Sequence, residues 1–326
     1  MTVHFVGAGP GAADLITVRA QRLLTECAVC LYAGSLVPAE VLAHCPPGAR
    51  LIDTADLTLD EIVAAMAEAD AAGYDVVRLC SGDPAVFSAI AEQARRLDQA
   101  GIGYDITPGV PAFAAAAAAL RRELTVPGVG QTVVLSRIAH RATPMPPGED
   151  LASLGATGAT LVLHLAVQRI EQVVAELTPH YGADCPAAVV AFASQDNEIL
   201  LRGSLGDIAG QVLAAGVRRT AVIIVGRVLA AEGFRDSHLY SAARERSSDA
   251  RERGARALPG VGLCLRGFRL VAAEQVRVHD PAVPGAQPGP RRRDLVRDLR
   301  QWTGDQHLVA GAEVRPPEHG ERRVVG

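Results

Sequence analysis

The sequence contains no lysine, because all 32 basic residues in its 326 positions are arginine. A phosphate-binding loop of the Gly-x-x-x-x-Gly-Lys type is therefore excluded. Basic and acidic residues nearly balance, which leaves a formal net charge of −4. Because nucleic-acid binding usually requires a clear basic excess, we expect no nucleic acid among the partners.

A targeting segment and a membrane span are also missing from the pattern. The first residues, Met1–Gly7, have no charged leader region and lead directly into a strand-like stretch. The apolar run Ala112–Ala119 is too short to cross a bilayer. We therefore expect a cytoplasmic protein without a membrane partner.

The sequence shows neither a catalytic triad nor a cluster with metal-ligand spacing, so we expect no bound metal. Its six cysteines are scattered along the chain. The segment Cys27-Ala-Val-Cys30 has the spacing of redox and zinc sites, but no second pair follows it. Its apolar neighbours favour buried free thiols instead.

Charge divides the chain into a body and a tail. Residues 241–326 hold 16 arginines against 11 acidic residues, whereas acidic residues exceed arginines in the first 240 positions. The stretch Pro281–Pro290 has the composition of a linker. We predict a weakly ordered Arg/Pro-rich tail over residues 241–326, with a partner-docking arm as the alternative.

In the body, apolar runs alternate with helical patterns, which is typical of a largely parallel α/β sheet. We predict an N-terminal α/β domain over residues 1–112 and a C-terminal α/β domain over residues 113–240. The predicted strands of the first domain are Val3–Val6, Ala28–Tyr32, Asp75–Leu79 and Tyr104–Ile106. Its predicted helices span Leu15–Thr25, a segment from a capping box at Thr58–Glu61 to Ala72, and Val86–Ala100.

Three loops rich in glycine and proline follow three of these strands. They are Gly7–Ala12, Cys80–Pro84 and Pro108–Pro111. Because ligands of parallel sheets bind at the carboxyl ends of the strands, we expect the three loops to meet at one rim. Asp83 in the second loop is placed either to cap a helix or to hold a ligand hydroxyl or amine.

The first loop also fits a loose dinucleotide fingerprint, and a plain tight turn is a further alternative. A nicotinamide site would have an acidic residue after the second strand, but Leu31–Gly34 has none. Pro10 also lacks the N–H that such a loop offers to pyrophosphate. Both observations argue against a dinucleotide site.

Taken in order, these loops and the segment Leu31–Val37 resemble the tetrapyrrole methylase family. The segments Leu124–Pro127, Gln131–Arg137 and Arg141–Pro146 resemble the branch that methylates C-11 of precorrin-4 in corrin biosynthesis. The resemblance runs from about residue 2 to residue 240. It implies two α/β domains, with a mostly parallel first sheet and a mixed second sheet, and a homodimer.

The resemblance also implies that S-adenosylmethionine is held between the domains. The residues that match its binding positions are Pro10, Ser81, Gly82, Asp83, Val86, Pro111, Ala112, Leu165, Phe192 and Ala221. The implied substrate is a precorrin-4-type tetrapyrrole, which becomes precorrin-5. The cobalt-containing substrate and methylation at another ring position stay open as alternatives, as do two other classes, an NAD(P)-dependent oxidoreductase and a non-catalytic binding protein.

Such a substrate carries many carboxylates, which guanidinium groups bind through paired hydrogen bonds. Arg137 and Arg141 flank a proline-rich loop and are the candidate substrate-binding residues, with Arg121, Arg122 and Arg227 as further candidates. His140, between the first two, and Asp83 are the candidate catalytic residues. His4 and His164 are predicted core or pocket-wall residues.

Overall fold

The first half of the body, which is the part before the predicted tail, folds around a five-stranded parallel sheet, as its apolar runs predict. The computed structural model of the protein describes residues 1–139 and 144–238. The strands are β1 (Thr2–Gly7), β2 (Val29–Tyr32), β3 (Arg50–Asp53), β4 (Val76–Cys80) and β5 (Gly103–Thr107), in the order β3-β2-β4-β1-β5. The central strand β4 is buried along its whole length, as is usual for parallel sheets with both faces covered.

Helices cover both faces of this sheet. They are α1 (Val18–Glu26), α2 (Ala39–Leu42), α3 (Leu59–Ala71) and α4 (Ile90–Ala100). Met66 and Leu97, from α3 and α4, pack on one face, and Leu24 and Val41, from α1 and α2, pack on the other. The predicted capping box is confirmed at the start of α3.

The second half forms a mixed sheet, so the predicted two-sheet α/β fold class is confirmed. Its strands are β6 (Val133–Arg137), β7 (Thr160–His164), β8 (Pro186–Ala191), β9 (Ile199–Ser204) and β10 (Ala221–Val225), in the order β6-β7-β10-β8-β9. Among the described strands of this second sheet, β6 and β7 are the one pair that runs in parallel. One face is covered by α5 (Ala112–Leu120), and the other by α6 (Leu151–Gly155), α7 (Ile170–Tyr181) and α8 (Ile208–Ala214).

In the first half, two helices begin later than predicted, and two short elements, α2 and β3, were not predicted. The helix predicted from Leu15 begins at Val18, because the Thr17 side chain caps it by accepting the Ala20 N–H. The helix predicted from Val86 begins at Ile90, because the residues before it form a turn in which Phe87 has a positive φ of 54°. The edge strand β3 was not predicted; three of its four residues are exposed, so it lacks the apolar run of the other strands.

Some predictions lie outside the described residues, among them His140, Arg141 and the tail over residues 241–326. The division into domains at residue 112 stays a prediction. Within the described part of the chain, no helix has the length and apolar character needed to cross a membrane.

Candidate functional site

The three loops predicted to share a rim are in direct contact. The Ala8 N–H donates to the Cys80 carbonyl over 2.8 Å, and Gly9 and Gly82 exchange backbone hydrogen bonds of 3.2 and 2.8 Å. A Cβ added to Gly109 would lie 2.2 Å from the Gly82 carbonyl oxygen, so no side chain fits there. The prediction that the loops meet is confirmed, and the close approach depends on glycine.

Asp83 fastens two of these loops together. One carboxylate oxygen accepts the Gly109 N–H over 2.8 Å, and the other accepts the Ala85 N–H, also over 2.8 Å. The alternative that Asp83 caps a helix is wrong, because α4 begins only at Ile90 and has Ala89 at its N-cap. The carboxylate therefore positions the rim loops while it also lines the cavity beside them.

A cavity of about 940 Å³ opens between the rim loops and the second sheet. This volume is near the upper end of the usual range for small-molecule sites. Nine of the ten predicted donor-binding residues line it: Pro10, Ser81, Gly82, Asp83, Val86, Pro111, Ala112, Leu165 and Ala221. Phe192 is the exception, because its side chain packs against the core of the second sheet while its neighbour Ala193 reaches the cavity wall.

Unusual backbone conformations are concentrated around this cavity. Phe87, Leu165 and Thr220 all line it and have positive φ values of 54°, 54° and 52°. Such conformations cost a non-glycine residue roughly 1–3 kcal/mol and are enriched at functional sites. No residue type marks these conformations in the sequence, because none of the three is a glycine or an asparagine.

The cavity has a strongly cationic wall. Four arginines line it: Arg137, Arg169, Arg218 and Arg219. Asp83 is the one carboxylate among the described lining residues, and backbone N–H groups already bind both of its oxygens. The wall is therefore suited to an anionic ligand.

Two of these arginines also support the loop that follows β6. Arg137 donates to the carbonyls of Ile138, over 3.1 Å, and Pro144, over 3.3 Å. Arg169 donates to the Ala139 carbonyl over 3.2 Å. The predicted substrate residue Arg137 thus lies at the cavity, whereas its predicted companion Arg141 lies outside the described residues.

Sequence reasoning missed Arg218 and Arg219. Both side chains are exposed and stand directly before β10, whose first residues line the cavity. The signal that was available is an arginine pair immediately before a strand. The further candidates Arg121, Arg122 and Arg227 do not line this cavity.

Of the two places predicted for His164, the core and the pocket wall, the structure shows the pocket wall. It ends β7, and its ring lies against Phe87 with the ring centroids 5.4 Å apart. Its Nε2 atom is buried and has no hydrogen-bond partner among the described residues. Burial lowers the pKa of His164, which favours the neutral imidazole. His4 lies in β1, away from the cavity wall, and its Nδ1 atom is hydrogen-bonded to the Asp105 carboxylate over 2.9 Å.

The first loop also contacts the second half of the chain. The Ala12 N–H donates to the Ser194 hydroxyl over 3.1 Å. The Gln195 side chain lies so close to Gly11 that an added Cβ would be 2.4 Å from its Cγ. The rim is thereby held against the second sheet, and both halves contribute walls to one cavity. In the described ranges, no group of three or more His, Cys, Asp or Glu side chains is arranged to hold a metal.

Comparison with known proteins agrees with this geometry. Residues 2–209 match the family model described as Tetrapyrrole (Corrin/Porphyrin) Methylases. A precorrin-4 C(11)-methyltransferase of Rhodococcus erythropolis is 68% identical over 248 residues, which cover 76% of this chain and 100% of that protein.

Solved structures show the same similarity. A cobalt precorrin-4 methyltransferase superposes with a TM-score of 0.68 at 38% identity, over 70% of this chain and 95% of that one. A uroporphyrin-III C-methyltransferase of Thermus thermophilus, solved with S-adenosylhomocysteine, gives 0.60 at 29% identity, over 70% and 93% of the two chains. The match to the family model and these relatives show that the chain belongs to the tetrapyrrole methylase family.

Proposed function

We propose that this protein transfers the methyl group of S-adenosylmethionine to C-11 of precorrin-4, giving precorrin-5 in cobalamin biosynthesis. The observation that carries the proposal is a cavity bounded by the three rim loops. The chain that forms it matches a precorrin-4 C(11)-methyltransferase over the full length of that protein. The cobalt-containing substrate is the second candidate, because a cobalt precorrin-4 methyltransferase shares the fold at lower identity.

The residues of the rim fit S-adenosylmethionine as the methyl donor. Gly82 presents bare backbone and Ala112 a single methyl group at the cavity wall, which leaves room for a ligand close to the main chain. Ser81 adds a hydroxyl, and Ala221 contributes a small side chain from the second sheet. We place the donor between these residues, with Pro10, Val86, Pro111 and Leu165 on the surrounding walls.

The donor supplies an already activated methyl group when it is bound, so the main work of the protein is positioning and exclusion of water. Good orientation alone contributes roughly 7–11 kcal/mol to lowering such a barrier. Asp83 supports this positioning, because it accepts the Gly109 N–H from the neighbouring loop and the Ala85 N–H within its own turn. We therefore assign Asp83 a positioning role rather than that of a proton acceptor, and His140 stays the predicted acid/base candidate.

The cationic wall supports a polycarboxylate substrate. Arg137 and Arg169 lie beside the loop that follows β6, whereas Arg218 and Arg219 precede β10. Guanidinium groups at two separate places bind separate carboxylates at the edge of a large flat ligand and so fix its rotation in the cavity. We propose that these arginines select which ring carbon faces the methyl donor. Arg141 is the further predicted member of this set.

The family resemblance also supports a homodimer and a cytoplasmic location as proposals. Light scattering coupled to size-exclusion chromatography tests the first, and a mass equal to one chain would contradict it. Cell fractionation tests the second.

Product analysis tests the catalytic proposal directly. The purified protein is incubated with precorrin-4 and S-adenosylmethionine carrying a ¹³C-labelled methyl group. We expect a product heavier by one labelled methyl group, located at C-11 by NMR. A methyl group at another carbon would contradict the assigned position, and turnover of cobalt-precorrin-4 alone would favour the second candidate.

Calorimetry distinguishes a methyltransferase from the alternative, an NAD(P)-dependent oxidoreductase. We expect S-adenosylhomocysteine to bind the protein, and NAD and NADP not to bind. Binding of either dinucleotide without binding of S-adenosylhomocysteine would refute the methyltransferase proposal.

A further inference from the structure

Three cysteines of the first half lie together, away from the cavity. Cys27 follows the end of α1, Cys30 is in β2, and Cys45 follows α2. Cys27 and Cys30 are buried in the apolar cluster between α1, α2 and the sheet, and Cys45 packs against that cluster while staying partly exposed. None of the three lines the cavity, so the proposed methyl transfer does not use them.

A sulfur–sulfur contact joins two residues that the sequence did not pair. The Cys27 thiol donates to the Cys45 sulfur over 3.8 Å and also to the Leu24 carbonyl over 3.2 Å. All five cysteines in the described part of the chain are free. Cys27 and Cys30 are buried free thiols, as their apolar neighbours predicted, and folding brings Cys45 from the next segment up to Cys27.

Cys45 has the surroundings of a reactive thiol. Hydrogen bonds from the Cys27 and Cys30 thiols, together with the nearby charge of His44, lower the pKa of Cys45 below that of an ordinary cysteine. The other two thiols are buried, and the pKa of Cys30 is raised. Low-pKa, accessible thiols next to a second cysteine are the ones that peroxides oxidise most readily.

We propose that Cys45 and Cys27 form a peroxide-reactive thiol pair that closes to a disulfide. Hydrogen peroxide first transfers an oxygen atom to the Cys45 thiolate, which gives a sulfenic acid and, after protonation, water. The Cys27 sulfur then attacks the Cys45 sulfur, and the hydroxyl group leaves as water with the Cys27 proton. Two thiols and one peroxide thus give one disulfide and two waters, and two electrons pass from sulfur to peroxide.

Closure requires only a small movement. The two sulfurs must approach from 3.8 Å to the disulfide bond length of about 2.05 Å. Cys45 lies after α2, in a segment with a partly exposed end, so a local shift there brings the atoms together. The same segment carries Ser35 and Leu36 on the cavity wall, so the disulfide fastens the far end of a stretch that borders the proposed active site.

Peptide mapping of the full chain tests this pairing. The reduced protein is treated with hydrogen peroxide, alkylated under denaturing conditions and cleaved after glutamate. Cleavage after Glu26, Glu40 and Glu61 leaves Cys27 and Cys30 on one peptide and Cys45 on the next. We expect these two peptides to become joined with the loss of two hydrogens.

Single substitutions identify the partners. Cys27→Ser is expected to abolish the joined peptides and to leave a sulfenic acid on Cys45 that dimedone captures. Cys30→Ser is expected to keep the joined peptides, and Cys185→Ser, which removes a buried thiol of the second half, is the matched control. The proposal is refuted if the wild-type peptides stay separate, if Cys45 joins another cysteine, or if Cys30→Ser alone prevents joining.

Discussion

At the scale of single residues, the charged side chains of the cavity wall differ in whether other groups of the protein already bind them. Arg218 and Arg219 are exposed at the cavity, and neither forms an ion pair within the part of the chain that the structure describes. Asp83, in contrast, has both oxygens engaged by backbone N–H groups. These two arginines are therefore available to a ligand, whereas the carboxylate of Asp83 holds the loops.

Replacing Arg219 by alanine tests the substrate wall. A hydrogen bond to a charged group contributes roughly 1.5–3 kcal/mol, so we expect Arg219→Ala to raise the KM for the tetrapyrrole about 10- to 100-fold. The Kd of S-adenosylhomocysteine should not change, because Arg219 is not among the residues placed around the donor. Steady-state kinetics and calorimetry measure the two quantities.

Arg95→Ala is the matched control, since Arg95 is exposed on α4 and lies outside the cavity. Its KM should equal that of the wild type. An unchanged KM in Arg219→Ala would remove that residue from the substrate site.

His164 gives the protein a specific dependence of stability on pH. Burial lowers its pKa in the folded state, whereas an unfolded histidine takes up a proton near pH 6.5. Below that pH the unfolded chain binds a proton that the folded chain does not, so the free energy of unfolding falls, by up to about 1.4 kcal/mol per pH unit for one group. Above that pH both states are neutral and the contribution is constant.

Urea titrations at pH 7.5 and 5.5 measure this effect. We expect His164→Gln to lose less stability than the wild type between the two pH values, while the exposed His180→Gln behaves like the wild type. Equal losses in all three proteins would show that His164 is not the group responsible.

At the scale of elements, the site depends on how closely three strand ends approach one another. Gly7, Gly82 and Gly109 meet where β1, β4 and β5 end, and a Cβ added at Gly7 or at Gly109 would collide with main-chain atoms. The loops then exchange hydrogen bonds instead of turning toward solvent. Strand order decides this contact, because β1 lies between β4 and β5 in the sheet.

Adding a methyl group at Gly109 is expected to open the rim. The new Cβ would lie 2.2 Å from the Gly82 carbonyl oxygen, so Gly109→Ala must push the β5 loop away and break its bond to Asp83. We expect the Kd of S-adenosylhomocysteine to rise at least about tenfold, which corresponds to 1.4 kcal/mol of lost binding free energy. Calorimetry measures the Kd.

Gly103→Ala at the other end of β5 serves as the control. The nearest atom to its added Cβ is 3.8 Å away, which is ordinary contact. It should bind S-adenosylhomocysteine like the wild type. Unchanged affinity in Gly109→Ala would separate the donor site from the rim.

At the scale of the whole molecule, the two sheets form a single functional unit. The hydrogen bond from Ala12 to Ser194 and the contact of Gly11 with Gln195 hold the rim against the second half. The cavity takes lining residues from both halves, so neither half has a complete site. The relative from Rhodococcus erythropolis has its whole length matched within 248 residues of this chain.

That match predicts which part of the chain is needed for turnover. A variant ending at residue 244 keeps the first compact unit, Met1–Arg244, and lacks residues 245–326. We expect its kcat and KM to equal those of the full chain, because nearly all of the matched body is retained. A loss of turnover in a variant that stays folded by circular dichroism would assign a function to the removed residues.

The sequence alone determined the features that depend on local pattern. Continuous apolar runs predicted the strands β1, β2 and β4, and the capping box at Thr58 predicted the start of α3. Glycine and proline after strands predicted the rim, because parallel strands end at one edge of a sheet. Motif resemblance supplied nine residues that line the cavity.

Only the tertiary structure decided the features that depend on distant segments. Arg218 and Arg219 become cavity residues because β10 lies at the centre of the second sheet, an order that no local pattern encodes. Asp83 fastens loops rather than capping a helix, because its partner Gly109 comes from another strand. Cys27 contacts Cys45, 18 positions further along the chain, for the same reason: contacts between segments are set by packing, whereas sequence spacing reports only neighbours along the chain.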